Sequence, residues 1–223
     1  MNKPTLYVVA GANGSGKSTL INKYKHFTKN IKFINPDDIA QSIDSNYDGK
    51  DNQLILKASR ETIKQQNALL QAKKTFGIET TLSGKRELRI MQEVKKLGYK
   101  VKLIYVGLDD PRFNIERVNE RTKNGGHYVY PKTILNRYNK SLTNLESTIK
   151  IADKTYLIDN SQNRSYLIAK FQLGKVLSVT DKTIPNWIIQ REDIYQKIEA
   201  YVKNKAKRNK LFPLHTTKRE LKR

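Results

Sequence analysis

The sequence contains no cysteine, and its 223 residues include only three histidines. A chain without cysteine forms neither disulfides nor thiolate metal sites, and His26, His127 and His215 are too far apart to suggest a histidine metal cluster. Apolar runs are short as well, because none approaches the roughly 20 residues that cross a bilayer. The chain enters an apolar, strand-like segment almost at its start, without a signal-like segment before it. These absences predict a soluble, cytoplasmic protein with no membrane partner.

Acidic residues are scarce, since 21 Asp and Glu stand against 43 Lys and Arg and give a formal net charge of +22. One interpretation is a nucleic-acid partner, because a basic surface attracts polyanions. The other is a lysine-rich solvated surface together with the cations that a nucleotide-phosphate enzyme needs. The linear sequence shows no interleaving of aromatic and basic residues of the kind that stacks bases, so the second interpretation is favoured.

A phosphate-binding loop is the most informative motif of the chain. It follows an apolar strand at 6–10 and leads into a helix-compatible segment, and its residues are Gly11, Ala12, Asn13, Gly14, Ser15, Gly16, Lys17, Ser18 and Thr19. The glycines let backbone N–H groups turn toward a polyphosphate, Lys17 supplies a mobile cation for the β- and γ-phosphates, and the Ser18 hydroxyl can ligate Mg²⁺. The motif therefore predicts binding of ATP or GTP together with Mg²⁺.

Two carboxylates follow the second predicted strand, at 31–35. Pro36 stops that strand and opens a helix, and Asp37 and Asp38 come next. In open α/β sheets ligands bind at the carboxyl ends of the strands, so either carboxylate is well placed for catalysis. The alternative is that the aspartates only stabilise the positive end of the helix.

The third predicted strand, at 76–81, ends in Glu79, Thr80 and Thr81 at the same edge. Threonine favours strands in any case, so the two hydroxyls have an ordinary structural explanation. A partly buried glutamate needs a partner such as a hydroxyl, a cation or a metal. Glu79 is therefore a stronger functional candidate than its two neighbours.

A basic helix followed by glycines predicts a hinged lid over about 111–149. Arg117 and Arg121 lie four residues apart and share one helix face. Two glycines and a histidine follow at 125–127, before a second helix. Such a lid can close over phosphates and bring arginines to the transferred group, although neighbouring glutamates could instead pair with these arginines on a solvated face.

The order of the elements predicts a P-loop NTPase three-layer sandwich with a mostly parallel five-stranded sheet, a helical lid and a C-terminal hairpin and helix appendage. The hairpin is expected over 166–179, on the edge of the sheet or as a small appendage. One kinase-like domain over 1–202 accounts for nearly the whole chain. A basic tail at 203–223 holds nine Lys and Arg and one Glu.

The combination of these motifs resembles the zeta toxin family of bacterial P-loop kinases over roughly residues 4–150. The matching parts are the phosphate-binding loop, the turn at 34–37, the strand end at 78–81 and the arginine helix. The resemblance implies transfer of the γ-phosphate of ATP or GTP to the 3′-hydroxyl of UDP-N-acetylglucosamine. It also implies a cognate antitoxin that blocks the nucleotide site.

Carried over residue by residue, the resemblance makes Asp37 the general base, although adjacent Asp38 leaves that assignment open. Lys17 and Arg117 would stabilise the transferred phosphoryl group, with Arg121 as the second lid arginine. Ser18 would ligate Mg²⁺. The acceptor would be held at the two strand ends by Asp38, Glu79, Thr80 and Thr81.

Two other functions fit the residues and stay open. The first is a kinase acting on a nucleic-acid end or on another small phosphorylated acceptor, which the charge of +22 would suit. The second is a binding module that uses the nucleotide without transferring its phosphate.

Overall fold

The structure, a computed structural model, describes residues 3–26 and 28–211 of the chain. Its strands, in chain order, are β1 (Thr5–Ala10), β2 (Lys32–Ile34), β3 (Phe76–Thr80), β4 (Lys100–Gly107), β5 (Lys154–Asp159), β6 (Tyr166–Gln172) and β7 (Lys175–Val179). Its helices are α1 (Lys17–Lys23), α2 (Pro36–Ile43), α3 (Asn52–Gln71), α4 (Arg86–Lys96), α5 (Pro111–Lys123), α6 (Pro131–Ile151), α7 (Asn186–Ile189) and α8 (Glu192–Leu211). None of the helices in the described ranges combines the length and apolar character that crossing a bilayer requires.

Local sequence fixes several helix starts. The Asn35 side chain accepts a hydrogen bond from the Asp37 N–H, and the Asp110 side chain accepts one from the Arg112 N–H. A proline occupies the first turn of both helices, where its missing N–H costs nothing. These caps fix where α2 and α5 leave the carboxyl ends of their strands.

The sheet has seven strands in the order β2-β3-β1-β4-β5-β6-β7. The first five of these pair in parallel, and the β6–β7 hairpin continues the sheet in antiparallel fashion at one edge. This confirms the predicted P-loop NTPase fold with five parallel strands, to which the hairpin adds two antiparallel ones. The hairpin lies on the sheet edge, which is one of the two places that the sequence allowed.

The two faces of the sheet differ in burial. On one face lie the fully buried side chains of the main core, among them Leu6, Val8, Leu103, Leu157 and Phe171. This core draws on residues of α2, α3, α4, α6 and α8. Side chains point to alternate faces of a strand, so the intervening residues lie on the opposite face, where several are only half-buried.

The direction of the chain explains why the two faces of the sheet differ in burial. From β1 to β2 the chain moves toward one edge of the sheet, whereas the later parallel crossovers all move toward the other edge. Parallel crossovers are almost always right-handed, so a reversal of direction moves the connecting helix to the other face. The short α1 is therefore set apart from α3, α4 and α6.

The C-terminal elements pack back on the domain. Trp187, Ile194 and Ile198 are buried members of the main core. Helix α8 continues to Leu211 and so runs through the boundary predicted at residue 203. The part of the predicted tail from residue 212 onward lies outside the described residues.

A buried hydroxyl pair between sheet and helix gives a test of the core. Tyr105 on β4 and Ser141 on α6 are 2% and 0% exposed, and their hydroxyl oxygens lie 2.8 Å apart. We expect Tyr105→Phe or Ser141→Ala to lower the free energy of unfolding by about 1–2 kcal/mol, because each leaves one buried hydroxyl unpaired. The double variant should lose clearly less than the sum, as measured by urea titration. Strictly additive losses would show that the pair does not bond.

Candidate active site

One large cleft lies at the carboxyl ends of β1, β2 and β3, where the sequence predicted the ligand site. Its volume is about 790 Å³. The phosphate-binding loop borders one side, α2 and α3 border the other, and α5 and α6 contribute arginines. Every predicted catalytic and substrate-binding residue lines this cleft: Lys17, Asp37, Asp38, Glu79, Thr80, Thr81, Arg117 and Arg121.

The predicted cofactor-binding residues divide into two groups. Asn13, Gly14, Gly16, Lys17, Ser18 and Thr19 line the cleft, while Gly11, Ala12 and Ser15 are buried behind it. The Ser15 hydroxyl is buried without a hydrogen-bond partner among the described residues.

Gly14 and Gly16 are loop positions that require glycine. Gly14 and Gly16 have φ angles of 76° and 97°, which L side chains rarely adopt. A Cβ at Gly14 would collide with the carbonyl oxygen of Asn114, and a Cβ at Gly16 would collide with the side-chain amide of Asn160. The loop is therefore packed closely against α5 and against the residue that follows β5.

Asparagines outside the motif hold the loop in shape. The Asn114 side chain donates to the Asn13 carbonyl at 2.7 Å, and the Asn160 side chain donates to the Ser15 carbonyl at 2.9 Å. Sequence reasoning missed both, because a single asparagine far along the chain carries no recognisable pattern. The position of Asn160 directly after an apolar strand was the one available signal.

Lys17 is a buried ammonium beside a carboxylate. Its Nζ donates to the Ala12 carbonyl at 3.1 Å and lies 3.9 Å from the Glu79 carboxylate. Burial lowers the pKa of Lys17, and the negative charges of Glu79 and Asp37 oppose that shift. The Ser18 hydroxyl donates to Glu79 at 2.8 Å. Glu79 thus lies on the nucleotide side of the cleft.

The oxygens of Ser18 and Glu79 fit a nucleotide-bound Mg²⁺. Across residues 3–26 and 28–211, no group of three or more histidines or carboxylates could hold a metal by itself. Mg²⁺ in nucleotide sites usually takes one or two protein ligands and completes its octahedron with phosphates and water. The donor set therefore suits an ion that arrives with the nucleotide.

Guanidinium groups from the predicted lid face the same cleft. Arg117 donates to the Asn160 carbonyl at 2.9 Å, and Arg121 donates to the His127 carbonyl at 3.2 Å. The Arg121 Nε is buried without a partner among the residues that the structure describes. Unpaired buried donors are costly, so this N–H is available to an anionic ligand.

Arg137 is a further cation of the site that sequence reasoning did not select. It lies on α6, lines the cleft, and its guanidinium donates to the Asn13 side chain at 3.0 Å. Its positive charge also influences the titration of Lys17 and Asp37. An arginine in the helix after the paired glycines was the signal that could have found it.

Asp37 contacts the predicted lid through His127. The Asp37 carboxylate lies 3.1 Å from Nε2 of His127, and the same Nε2 lies 3.0 Å from the Arg121 guanidinium. One nitrogen cannot donate to Asp37 and accept from Arg121 at the same time. When Nε2 carries the proton it bonds Asp37, and Arg121 keeps its bond to the His127 carbonyl.

The electrostatics separate the two adjacent aspartates. Burial pushes the pKa of Asp37 upward, but the hydrogen bond with His127 and the charges of His127, Arg121 and Arg137 outweigh it, so the pKa lies below its usual value. For Asp38, burial and the nearby carboxylates of Glu79 and Asp37 raise the pKa. Asp37 is therefore the more firmly ionised of the two.

The threonine hydroxyls have local partners. Thr80 accepts a hydrogen bond from the Leu82 N–H at 3.0 Å, and Thr81 lies 2.9 Å from the Ser83 hydroxyl. Beyond them the cleft continues to Arg86, which donates to the buried Gln66 side chain. This far end, unnoticed in the sequence, adds a cation and an amide to the lining of the cleft.

Comparisons with known proteins agree with this arrangement. The profile of the family described as Zeta toxin matches residues 1–170. A Haemophilus influenzae protein described as uncharacterized is 31% identical over 137 residues, which are 61% of this chain and 93% of that protein.

Two solved structures share the fold. The AvrRxo1-ORF1:-ORF2 structure with ATP has a TM-score of 0.65 at 15% identity and covers 86% of this chain. The chain spans 64% of the AvrRxo1 chain that it matches. A structure from the PezAT chromosomal toxin-antitoxin system of Streptococcus pneumoniae has a TM-score of 0.56 at 16% identity, with 92% of this chain and 88% of that chain covered. At these identities the likeness establishes the fold alone.

The contact between His127 and Asp37 yields a pH prediction. We expect His127→Ala to raise the pKa of Asp37, because it removes both the hydrogen bond from His127 and the charge of His127, which oppose the effect of burial. Titration of the aspartate carboxyl carbons by NMR measures the shift. Asp153, whose pKa is lowered by the Val101 N–H and Lys95 elsewhere, is the internal control and should not move. An unchanged Asp37 would mean that His127 does not hold it in solution.

Proposed function

The chain belongs to the zeta toxin family of phosphotransferases, and on that premise we propose that it is a kinase for a UDP-sugar. In this proposal the γ-phosphoryl group of ATP or GTP passes to a hydroxyl of a nucleotide sugar such as UDP-N-acetylglucosamine. The observation that carries the proposal is the position of Asp37. It lines the same cleft as the phosphate-binding loop, close enough for its charge to influence the titration of Lys17.

The donor half of the cleft supplies positive charge. Lys17 would lie against the β- and γ-phosphates, while Arg117 and Arg121 approach from α5 and Arg137 from α6. Phosphoryl transfer gains most from such fixed cations, because charge spreads over the phosphoryl oxygens in the transition state. Mg²⁺ held near Ser18 would neutralise further phosphate charge.

The acceptor half supplies a carboxylate. Asp37, kept ionised by His127 and the lid arginines, would accept a hydrogen bond from the sugar hydroxyl and then take its proton. The sugar oxygen forms the new bond to phosphorus, and the bond to the bridging oxygen of the nucleotide breaks with its electron pair leaving on the diphosphate. Most of the rate acceleration expected from Asp37 comes from orienting the hydroxyl toward the γ-phosphorus.

The cleft has room for a second nucleotide-like ligand. Its volume of about 790 Å³ is near the upper end of ordinary ligand pockets. Its far end holds Arg86 and the buried Gln66, a cation and an amide that suit a diphosphate and a polar ring. These features support a sugar nucleotide as the acceptor.

An antitoxin is part of the proposal. The similar PezAT structure is described as a toxin-antitoxin system, and the AvrRxo1 structure contains two different chains. By analogy, a cognate protein would cover the nucleotide cleft and keep this chain inactive.

The two aspartates can be ranked by substitution. We expect Asp37→Asn to lower turnover by at least about 100-fold with nucleotide affinity preserved, because the amide accepts no proton. Asp38→Asn, an identical change one residue away, should be milder. Steady-state kinetics and nucleotide titration by calorimetry measure the two effects. The reverse ranking would assign proton transfer to Asp38.

The acceptor is identified by labelling. Protein, Mg²⁺ and γ-labelled ATP or GTP are incubated with UDP-N-acetylglucosamine, with UDP alone, or with 5′-hydroxyl RNA. Label should appear in the UDP-sugar and depend on Lys17. Label in the RNA would establish a nucleic-acid-end kinase instead. Label in no acceptor, with nucleotide binding still abolished by Lys17→Ala, would favour a binding module that transfers nothing.

A further inference from the structure

The less buried face of the sheet brings together residues that lie far apart in the sequence. Tyr7 on β1 is in register with Lys102 on β4, and Lys102 is in register with Lys154 on β5. On the next strand pair, Tyr156 of β5 is in register with Lys170 of β6. Partners in register point to the same face, so these five side chains form one surface, here called the lysine-tyrosine face.

Contacts within the face support this assignment. The Lys102 ammonium lies 4.9 Å from the centre of the Tyr7 ring, and its Nζ donates to the Tyr7 hydroxyl at 3.2 Å. Lys154 and Tyr7 also border a common groove of about 520 Å³, together with the exposed Lys3 and Lys100. The surface is therefore a concave feature with several ammonium groups and an aromatic ring.

The charges on this face are not balanced locally. Like charges directly opposite on neighbouring strands are unfavourable, and Lys102 and Lys154 occupy such positions. The carboxylate beside them, Asp153, is already engaged, since it accepts from Lys95 at 3.0 Å and from the Val101 N–H at 2.7 Å. A bound anion would relieve the repulsion between the two lysines.

The aromatic rings decide which polyanion fits best. Tyr7 and Tyr156 lie on strands separated by β4 and are offset by two residues along the strands, so their backbones are about 12 Å apart, with Lys102 on the strand between them. Both tyrosines are half-buried and retain exposed surface. Bases stack on such rings while ammonium groups contact the phosphates, whereas an acidic peptide would use the lysines alone.

We propose that the lysine-tyrosine face binds single-stranded nucleic acid, with bases on Tyr7 and Tyr156 and phosphates on Lys102, Lys154 and Lys170. This activity is separate from the phosphotransferase reaction, because the P-loop residues lie at the carboxyl ends of the strands and the groove lies at their amino ends. The nucleic acid would be a ligand here and not the phosphate acceptor.

The experiment measures anisotropy of a fluorescein-labelled single strand of about 12 nucleotides. The full chain should bind it at low salt, and a duplex of the same length should bind more weakly because its bases are already stacked. Tyr156→Leu should weaken binding by at least about 5-fold, while Tyr156→Phe, which keeps the ring, should stay within about 2-fold of the unmodified chain.

The charge contribution has its own matched pair. Lys102→Gln with Lys154→Gln should reduce the steepness of the salt dependence by about 1.4 logarithmic units per decade, or about 0.7 for each lost phosphate contact. Lys64→Gln with Lys96→Gln removes the same charge from exposed positions on α3 and α4 and should leave the slope near that of the unmodified chain. Equal slopes in both double variants would overturn the proposal.

Photo-crosslinking locates the ligand on the unmodified chain, so the result does not depend on how any variant folds. With a single strand that carries 4-thiothymidine, crosslinks are expected on the side chains of Tyr7 or Tyr156, located to the residue by mass spectrometry. Crosslinks confined to the catalytic cleft would overturn the proposal. Competition by polyglutamate as strong as that by the unlabelled strand would also overturn it and indicate an acidic protein partner.

Discussion

The buried ammonium of Lys17 is the constraint on which the catalytic site depends. Removing an ammonium from water is costly, and the lowered pKa of Lys17 reflects that cost. The carboxylates of Glu79 and Asp37 offset it, although they come from different strand ends. The parallel pairing of β1 with β3 and of β3 with β2 brings both carboxylates to the lysine. The parallel pairing of the strands is thus what places the two carboxylates where they balance the charge of Lys17.

The predicted lid is linked to this charge balance through the imidazole of His127. Nε2 of His127 lies within hydrogen-bond distance of both Asp37 and Arg121, and the His127 ring stacks near Tyr47 at 6.2 Å between centroids. The Tyr128 N–H, next in the chain, donates to the Asp48 carbonyl at 2.7 Å. The segment after α5 is therefore fastened to the segment between α2 and α3. Any movement of that segment is therefore expected to change the ionisation of Asp37.

Sequence reasoning succeeded where a few adjacent residues determine the outcome. The phosphate-binding loop and the helix that begins at Pro36 depend on local backbone chemistry, so both can be predicted from the linear sequence. The contacts of Asn160 with Ser15 and of Arg137 with Asn13 span 145 and 124 residues. The local sequence around either residue does not indicate which distant residue it contacts. Such pairs follow from packing, which requires the fold to be known.

The same limit explains why the sequence alone favours a solvated surface as the reason for the basic charge. Along the chain, aromatic and basic residues do not alternate in a way that suggests stacking of bases. Folding changes their neighbours, because the register places Lys102 between Tyr7 and Lys154, from strands almost 150 residues apart. The side chains on the core face must be buried, and this requirement fixes which residues of each strand point to which face of the sheet. The same register aligns the residues of the opposite face, although its lysines and tyrosines do not belong to the core. These side chains therefore remain exposed enough to contact a ligand.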